Sequence, residues 1–289
     1  MTKLELNTLL NMENKDFAVF ILTHARPDNV KTLSTLKKCG HTGKIYFIVD
    51  NEDKTIEQYQ KNYGIENVKI FDKKAMADSI DEGNNFDNRK VIIHARNACF
   101  EIAKELGITY FVQFDDDYYY FGYRYMTGAK IIKNIDGVFD AMLNFYKSTN
   151  IKSICFSQGG DHIGGFSGIK LKRKAMNSFF CSTERPFQFV GSINEDVNTY
   201  TSLGCRGDLF FTFTNIQLDQ KDTQSNKGGM TDEYALTGTY IKSFHSVLMH
   251  PSGVKVSMMN ANNPRLHHTI KWLNTTPMIL DEKYKKLNH

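Results

Sequence analysis

Short runs of apolar residues, each followed by polar ones, mark the first half of the chain. They cover residues 17–22, 44–49, 68–71 and 110–114. Runs of this length, rich in aromatic and β-branched residues, are typical of strands buried on both faces. Helices are predicted from apolar residues at helical spacing over 29–39, 54–63 and 89–106. Strand and helix thus alternate four times, which predicts an α/β fold with a mostly parallel, doubly wound, Rossmann-like sheet.

The second half contains further predicted elements. Strands are predicted over 151–157, 209–217 and 254–259, and helices over 131–146, 197–203 and 231–249. No glycine- and serine-rich linker and no repeat interrupts the chain, so a single domain is predicted over 1–289.

Several other segments have no regular period. Residues 72–88 are predicted to form a loop with at most one helical turn. The aromatic segment 118–125 could stack a nucleobase or sugar, or simply pack as a turn or an edge strand. Five glycines in 158–168 allow close approach to a ligand, and the polar segment 221–229 is a candidate lid.

The apolar run that begins at Tyr110 ends abruptly in Asp115, Asp116 and Asp117. Unpaired carboxylates are costly to bury, so these acids are expected at the carboxyl edge of the sheet, where α/β folds bind ligands. Carboxylate oxygens suit Mg²⁺ or Mn²⁺, and such an ion could neutralise a diphosphate. A solvated acidic turn is the alternative explanation.

Two further places carry candidate chemistry. Arg26, after the first strand, could meet a phosphate or a base, although Pro27 and Asp28 also suit a plain helix start. Asp50, at the end of the second strand, could accept hydrogen bonds from a ribose or a base.

A second acidic pair, Glu195 and Asp196, precedes a predicted helix. A carboxylate at this position beside a cleft could act as a general base on an acceptor hydroxyl. Acids at a helix start are also common because they complement the helix dipole.

Composition adds weaker constraints. The net charge of +4 is compatible with a polyanionic partner. The densest basic run comprises Lys170, Lys172, Arg173 and Lys174, which could bind nucleic-acid phosphates or guard a solvated edge strand. Five scattered cysteines form neither a disulfide framework nor a zinc motif, which favours a reducing, cytoplasmic location. No apolar stretch is long enough to span a membrane, and no obligate protein partner is evident.

The motifs occur in a recognisable order. The run 17–22 leads to a polar loop, Asp50 closes the second strand, and Arg96-Asn97 lies on the helix before the three aspartates; Asn194-Glu195-Asp196 and a late histidine follow. This order resembles the GT-A glycosyltransferases with their DxD and xED motifs. Within that fold it is most similar to the TET-associated glycosyltransferases, the group that includes the base J glucosyltransferase and phage relatives.

The resemblance covers residues 17–272 and implies roles for particular residues. It implies a nucleotide-binding half at 17–125 and an acceptor and catalytic half at 126–289. The implied nucleotide-sugar ligands are Thr23, His24, Arg26, Asp50, Arg96, Asn97, Asp115 and Asp116, with Arg96 on the diphosphate. The implied metal ligands are Asp117, Asp115 and one of His267 and His268. Asp196 or Glu195 would be the catalytic base.

The function implied is a metal-dependent, inverting transfer that uses Mn²⁺ or Mg²⁺. The sugar would move from a nucleotide-sugar, in particular a UDP-sugar, to a 5-hydroxymethylpyrimidine such as hydroxymethylcytosine in DNA. For a bacteriophage enzyme this would occur in the host cytoplasm. Alternatives are a glycan, lipid or protein acceptor, nucleotidyl transfer, or a non-catalytic DNA-binding module. Both acidic motifs are intact, which speaks against the last.

Overall fold

The computed structural model describes residues 16–80, 89, 91–162, 169–170, 172, 174–220, 230–259 and 264–277. The elements of the first half are β1 Phe17–Leu22, α1 Lys31–Lys38, β2 Lys44–Asp50, α2 Ile56–Tyr63, β3 Val68–Phe71, α3 Lys73–Asp78, α4 Ile93–Glu105, β4 Tyr110–Asp115, β5 Tyr118–Tyr125 and β6 Gly128–Ile131. Those of the second half are α5 Ile135–Lys147, β7 Ser153–Ser157, β8 Ile169–Lys170, β9 Phe179–Ser182, α6 Glu195–Gly204, β10 Phe210–Gln220, α7 Met230–Met249, β11 Val254–Met259, β12 Arg265–Ile270 and α8 Trp272–Thr275.

The strands form one large mixed sheet and a separate hairpin. The order in the sheet is β3-β2-β1-β4-β9-β7-β10-β5-β6, with β8 pairing β10, and β11 pairs β12. The first four strands are parallel, as are β7 and β10, whereas β9, β5 and β6 run antiparallel to their neighbours. The predicted α/β class is therefore confirmed, with a parallel first half that continues into a mixed sheet.

Two apolar cores cover the two faces of the sheet. Alternate residues of β1 divide between them: Val19 and Ile21 belong to one core, and Ala18, Phe20 and Leu22 to the other. Helices α1, α2 and α5 pack on the first face, and α3, α4 and α6 on the second. Because β1 is covered on both sides, its sequence is a continuous apolar run.

Some elements differ from the sequence predictions. The predicted loop 72–88 contains the helix α3, whose cap Asp72 accepts a hydrogen bond from the Ala75 amide at 2.9 Å. Residues 118–125 form an inner strand, and the predicted helix 131–146 begins only at Ile135 because β6 comes first. Strands β9 and β12 were not predicted. The candidate lid 221–229 and most of the glycine-rich segment lie outside the described residues.

Within the described part of the chain, no helix has the length and apolar character needed to cross a membrane.

Candidate active site

The middle acid of the DDD motif holds the loop that follows β1. Leu22 pairs with Asp115 in the parallel register, so the residues after both strands meet at the carboxyl edge. The Thr23 hydroxyl donates to Asp116 Oδ2 at 2.7 Å, and Arg26 Nη1 donates to Oδ1 at 3.1 Å. Burial raises the pKa of Asp116, although Arg26 and Thr23 oppose the shift. Asp116 thus fastens the loop that follows β1 to the end of β4.

Arg96 joins the two acidic motifs that the sequence singled out. Its Nε donates to Glu195 Oε1 at 2.8 Å and its Nη2 to Asp115 Oδ1 at 3.0 Å. The side chain is 1% exposed and its guanidinium lies over the rings of Phe179 and Phe189. Two of its nitrogens thus form a buried bridge between two carboxylates, and its Nη1 is buried without a hydrogen-bond partner among the described residues. The diphosphate contact that the resemblance implies for Arg96 stays a prediction.

The acid pair begins α6 on a strained backbone. Asn194, the residue before it, has a left-handed φ of 55°. The side-chain Nδ2 of Asn194 donates to the Lys242 carbonyl at 2.8 Å and to Ser246 Oγ at 3.1 Å. Asp196 is buried and accepts the Val197 amide at 2.7 Å. Burial, and next the neighbouring Glu195, raise the pKa of Asp196 to about 7. A carboxylate with that pKa is suited to accept a proton near neutral pH.

Asp50 is tied to a buried lysine that sequence reasoning missed. Its Oδ2 lies 2.7 Å from His24 Nδ1, and its Oδ1 lies 3.3 Å from Lys73 Nζ. Burial acts to raise the pKa of Asp50, but the hydrogen bond from His24 and the charge of Lys73 bring it below the usual value. Both oxygens of Asp50 are engaged, whereas the His24 side chain is 49% exposed. His24 is therefore the more accessible of the two to a nucleoside.

Two more residues that the sequence did not reveal organise the same loop. Asp53 Oδ2 accepts the amide of Ala25 at 2.7 Å, and Ala25 has a left-handed φ of 55°. The Tyr59 hydroxyl accepts the Arg26 amide at 2.8 Å and lies 2.8 Å from Thr23 Oγ1. The closeness of Asp53 to Asp50 in the sequence was a weak sign that Asp53 belongs to the site. Nothing in the sequence around Tyr59 distinguished it from other helical residues.

Asn97 anchors the segment that leads to the acid pair. Its Nδ2 donates to the Phe189 carbonyl at 3.1 Å, and its Oδ1 accepts the Phe189 amide at 2.8 Å. Both ends of the side-chain amide are thus used within the protein. Asn97 thus holds the backbone of the segment around Phe189 to α4, beside the site.

The late histidines lie on β12, among cations. The rings of His267 and His268 are 4.3 Å apart. The pKa of His267 is lowered by burial first, and then by the charges of Arg265, Lys242 and Lys174. The pKa of His268 is lowered to about 3 by burial first, and then by His267, Lys242 and Lys174. A cationic setting disfavours a metal ion, so neither histidine is proposed as a metal ligand.

The basic run is described only in part. Lys172 is exposed and Lys174 is partly exposed. Lys170 pairs with Thr212 through its backbone in β8, and Arg173 lies outside the described residues.

Asp115 and Asp117 have the character of divalent-metal ligands. Burial raises the pKa of Asp115 to about 7, with Arg96 opposing and the carboxylates of Asp117, Glu195 and Asp116 adding. Burial and Asp116 raise the pKa of Asp117 to about 6. Such crowding of acids favours a proton or a cation between them.

No cluster of three or more metal-ligating side chains occurs among the described residues. Mg²⁺ sites commonly use only one or two carboxylates, together with substrate phosphates and water, and Asp115 and Asp117 could supply these carboxylates. The residues present therefore fit an ion that is held jointly by the protein and a phosphate-containing ligand.

Comparison with solved structures gives weak similarities. Glucosyl-3-phosphoglycerate synthase from Mycobacterium tuberculosis, solved with Mg²⁺ and UDP, matches with 11% identity and a TM-score of 0.45 over 93% of this chain and 92% of that one. S. aureus TarS 1-349 with UDP matches with 12% identity and a TM-score of 0.41 over 70% of this chain and 60% of that one.

The match to a protein family is more informative. No curated protein sequence matches the chain. The model of the TET-associated glycosyltransferase family, however, matches residues 17–229, which include both acidic motifs and Arg96. The chain therefore belongs to the TET-associated glycosyltransferase family, as the resemblance of its motifs indicated.

Proposed function

We propose that the protein transfers a sugar from a UDP-sugar to the hydroxyl of a 5-hydroxymethylpyrimidine in DNA, with inversion and with Mn²⁺ or Mg²⁺ as cofactor. The observation that carries this proposal is the bridge from Asp115 through Arg96 to Glu195. It joins the candidate metal site to the acid pair that contains the candidate base.

The donor side of the site is the DDD end of β4. Asp115 and Asp117 would hold the divalent ion, which neutralises the charge of the leaving diphosphate when bound. The half-exposed His24 and the partly exposed Arg26 face the same edge and would bind the nucleoside and the phosphates. Because the diphosphate itself supplies oxygens to the ion, two carboxylates are a sufficient protein contribution.

The acceptor side is the start of α6. Asp196 would take the proton of the acceptor hydroxyl as its oxygen bonds to the anomeric carbon of the sugar. The bond from that carbon to the diphosphate oxygen breaks, and the nucleoside diphosphate leaves. Because Arg96 and the Asn194 contacts fix the first turn of α6, the carboxylate is held in place before the acceptor arrives.

A pyrimidine in DNA is proposed as acceptor because of the family and the net charge of +4. The hydroxymethyl group must be presented outside the base stack, on a flipped or single-stranded nucleotide. A glycan, lipid or protein acceptor is the second candidate, since the geometry of donor and base would serve any hydroxyl.

The direct test is transfer itself. The protein is incubated with Mn²⁺, a panel of nucleotide-sugars, and DNA that contains 5-hydroxymethylcytosine or 5-hydroxymethyluracil. The masses of the nucleosides released from that DNA are then determined by mass spectrometry. A hexose or pentose mass increase on the modified nucleoside is expected. Metal-dependent donor hydrolysis without that increase would contradict the DNA acceptor and leave the transferase chemistry.

Replacing Asp117 by alanine is expected to remove metal-dependent donor binding without unfolding the protein. In the parent protein, UDP and Mn²⁺ at 100 times the dissociation constant should stabilise the fold by about 2.7 kcal/mol in thermal unfolding. Asp117→Ala should lose most of this, whereas Asp78→Ala, at a side chain 64% exposed on α3, should keep it. Equal stabilisation of both variants would remove Asp117 from the metal site.

The pH dependence of kcat should follow the ionisation of Asp196. A base must be deprotonated to act, so at saturating donor and metal we expect kcat to fall about tenfold per pH unit below the pKa of about 7 and to level off above it. The measurement is a kcat profile from pH 5.5 to 8.5, with donor binding followed in parallel. A flat profile would contradict a base with a raised pKa.

A further inference from the structure

The ring of His24, in the loop after β1, is held from one side only. Its Nδ1 lies 2.7 Å from Asp50 Oδ2 and 3.6 Å from Asp53 Oδ2. Both carboxylates are buried, whereas the His24 side chain is half-exposed. Nε2 lies on the far side of the ring from Nδ1 and makes no hydrogen bond within the described part of the chain. The ring thus has an inner nitrogen that the protein uses and an outer nitrogen that a ligand can reach.

The surroundings of Asp50 decide which ring nitrogen of His24 carries the hydrogen. Asp50 Oδ1 accepts the Glu52 amide at 3.2 Å and lies 3.3 Å from Lys73 Nζ. A carboxylate beside a buried ammonium group is ionised, and it can only accept hydrogen bonds. Nδ1 of His24 must therefore carry the hydrogen in its contact with Oδ2. In the neutral ring this leaves Nε2 as a hydrogen-bond acceptor.

The order of the strands places His24 away from the acceptor side of the site. The sheet runs β2-β1-β4-β9, with the DDD motif at the end of β4. His24 follows β1 on one side of β4, whereas Arg96 lies over the ring of Phe179 in β9 on the other. A diphosphate at the end of β4, with the acceptor beside the acid pair, leaves the side of β1 and β2 for the nucleoside. The buried carboxylates of Asp50 and Asp53 disfavour a phosphate there and suit a neutral base.

We propose that His24 selects the base of the donor, with Nε2 accepting a hydrogen bond from a ring N–H of that base. Uracil and thymine carry a hydrogen on N3, whereas cytosine has a lone pair there. Two lone pairs that face each other repel, so the site takes a uridine nucleotide and disfavours a cytidine nucleotide. The inference rests on the proposed function in that it takes the donor to be a nucleoside diphosphate sugar.

The variant Asp50→Asn should reverse the preference for the base. The oxygen of the new amide would stay with its two donors, the Glu52 amide and Lys73, which turns the NH₂ group toward His24 Nδ1. Nδ1 would then have to accept, so the ring hydrogen moves to Nε2 and makes that atom a donor. A donor at this position pairs with the N3 lone pair of cytosine and opposes the N3 hydrogen of uracil.

The test is the ratio of the dissociation constants for CDP and UDP, each measured by calorimetry with Mn²⁺ at pH 8, where an ordinary imidazole is neutral. The two ligands share the ribose and the diphosphate, so the ratio reports the base alone. We expect CDP to bind about tenfold more weakly than UDP to the parent protein, more tightly than UDP to Asp50→Asn, and equally to His24→Phe. The matched control Asp78→Asn, at an exposed carboxylate on α3, should keep the ratio of the parent protein.

The outcomes separate the role of His24 from the proposed function. A ratio near one in the parent protein, or the parent ratio in both Asp50→Asn and His24→Phe, would overturn the proposal. His24→Phe, at a half-exposed side chain, tests the same point should Asp50→Asn not fold. Selective binding of UDP without sugar transfer to DNA would support the role of His24 and refute the proposed acceptor. Failure of both nucleotides to bind would refute the donor and the role of His24 together.

The position of the ring hydrogen can also be observed without a ligand. In nitrogen-15 spectra at pH 8, the His24 signals are those that disappear in His24→Phe. They should show a hydrogen on Nδ1 and none on Nε2 in the parent protein, and the reverse in Asp50→Asn. A hydrogen on Nε2 in the parent protein would overturn the proposal.

Discussion

Replacement of Asp196 by asparagine is expected to lower kcat for sugar transfer by about 100- to 10,000-fold, the usual contribution of a positioned general base. The amide has nearly the shape of the carboxyl group, so its oxygen keeps the hydrogen bond from the Val197 amide and the first turn of α6 keeps its structure. What is lost is a group that accepts a proton near neutral pH. The acceptor hydroxyl would then have to attack while still protonated.

Kinetics and binding together identify this loss. Donor affinity, measured with UDP and Mn²⁺, should be unchanged, because Asp196 lies on the acceptor side of Arg96. Asp208→Asn, beyond the other end of α6, serves as the control with normal turnover. Turnover of Asp196→Asn within a factor of a few of the control would rule out Asp196 as the base and transfer that role to Glu195.

Replacement of Arg96 by methionine is expected to lower the free energy of unfolding by about 3–5 kcal/mol, since it leaves two carboxylates without their buried partner. Arg96 is 1% exposed and neutralises Asp115 and Glu195 together. The control is Arg89→Met. Arg89 pairs with Glu52 at 2.6 Å, but the two side chains are 30% and 39% exposed, so its loss should cost about 1 kcal/mol or less.

Urea unfolding of the two variants checks this difference. Adding Glu195→Gln to Arg96→Met should recover part of the lost stability, because it removes one of the unpaired charges. Equal losses for Arg96→Met and Arg89→Met would show that the bridge does not stabilise the fold. Activity should be low in Arg96→Met in any case, since Glu195 and Asp115 would no longer be held together.

The sequence predicted best those strands whose apolar residues, read along the chain, match the burial of the strand in the folded sheet. The runs that became β1, β2 and β4 are largely apolar because helices cover both faces of the sheet there. Strand β9, Phe179–Ser182, was missed. Its pairing with β4 and β7 depends on residues distant in sequence, which no local pattern reports.

In the candidate site, too, the sequence revealed what depends on neighbouring residues and missed what depends on distant ones. The three aspartates and the acid pair were visible because polar residues end apolar segments there. The contacts that organise them were not visible, since they join residues far apart in the chain. Arg96 meets Glu195 across 99 positions, and Thr23 meets Asp116 across 93. Lys73 was passed over because a buried lysine is unexpected until its partner Asp50 is seen beside it.

The position of β9 has a consequence for how the protein is made. In the finished sheet β9 lies between β4 and β7, although it is later in the chain than both. While the chain emerges from the ribosome, β4 therefore waits as an unpaired edge, with its apolar residues and the DDD motif at its end, until residue 179 and its neighbours have been synthesised. An exposed edge of that kind is a template for wrong pairing. Expression at a low initiation rate, which lowers the concentration of incomplete chains and so the chance that two such edges meet, should favour folded protein over aggregate.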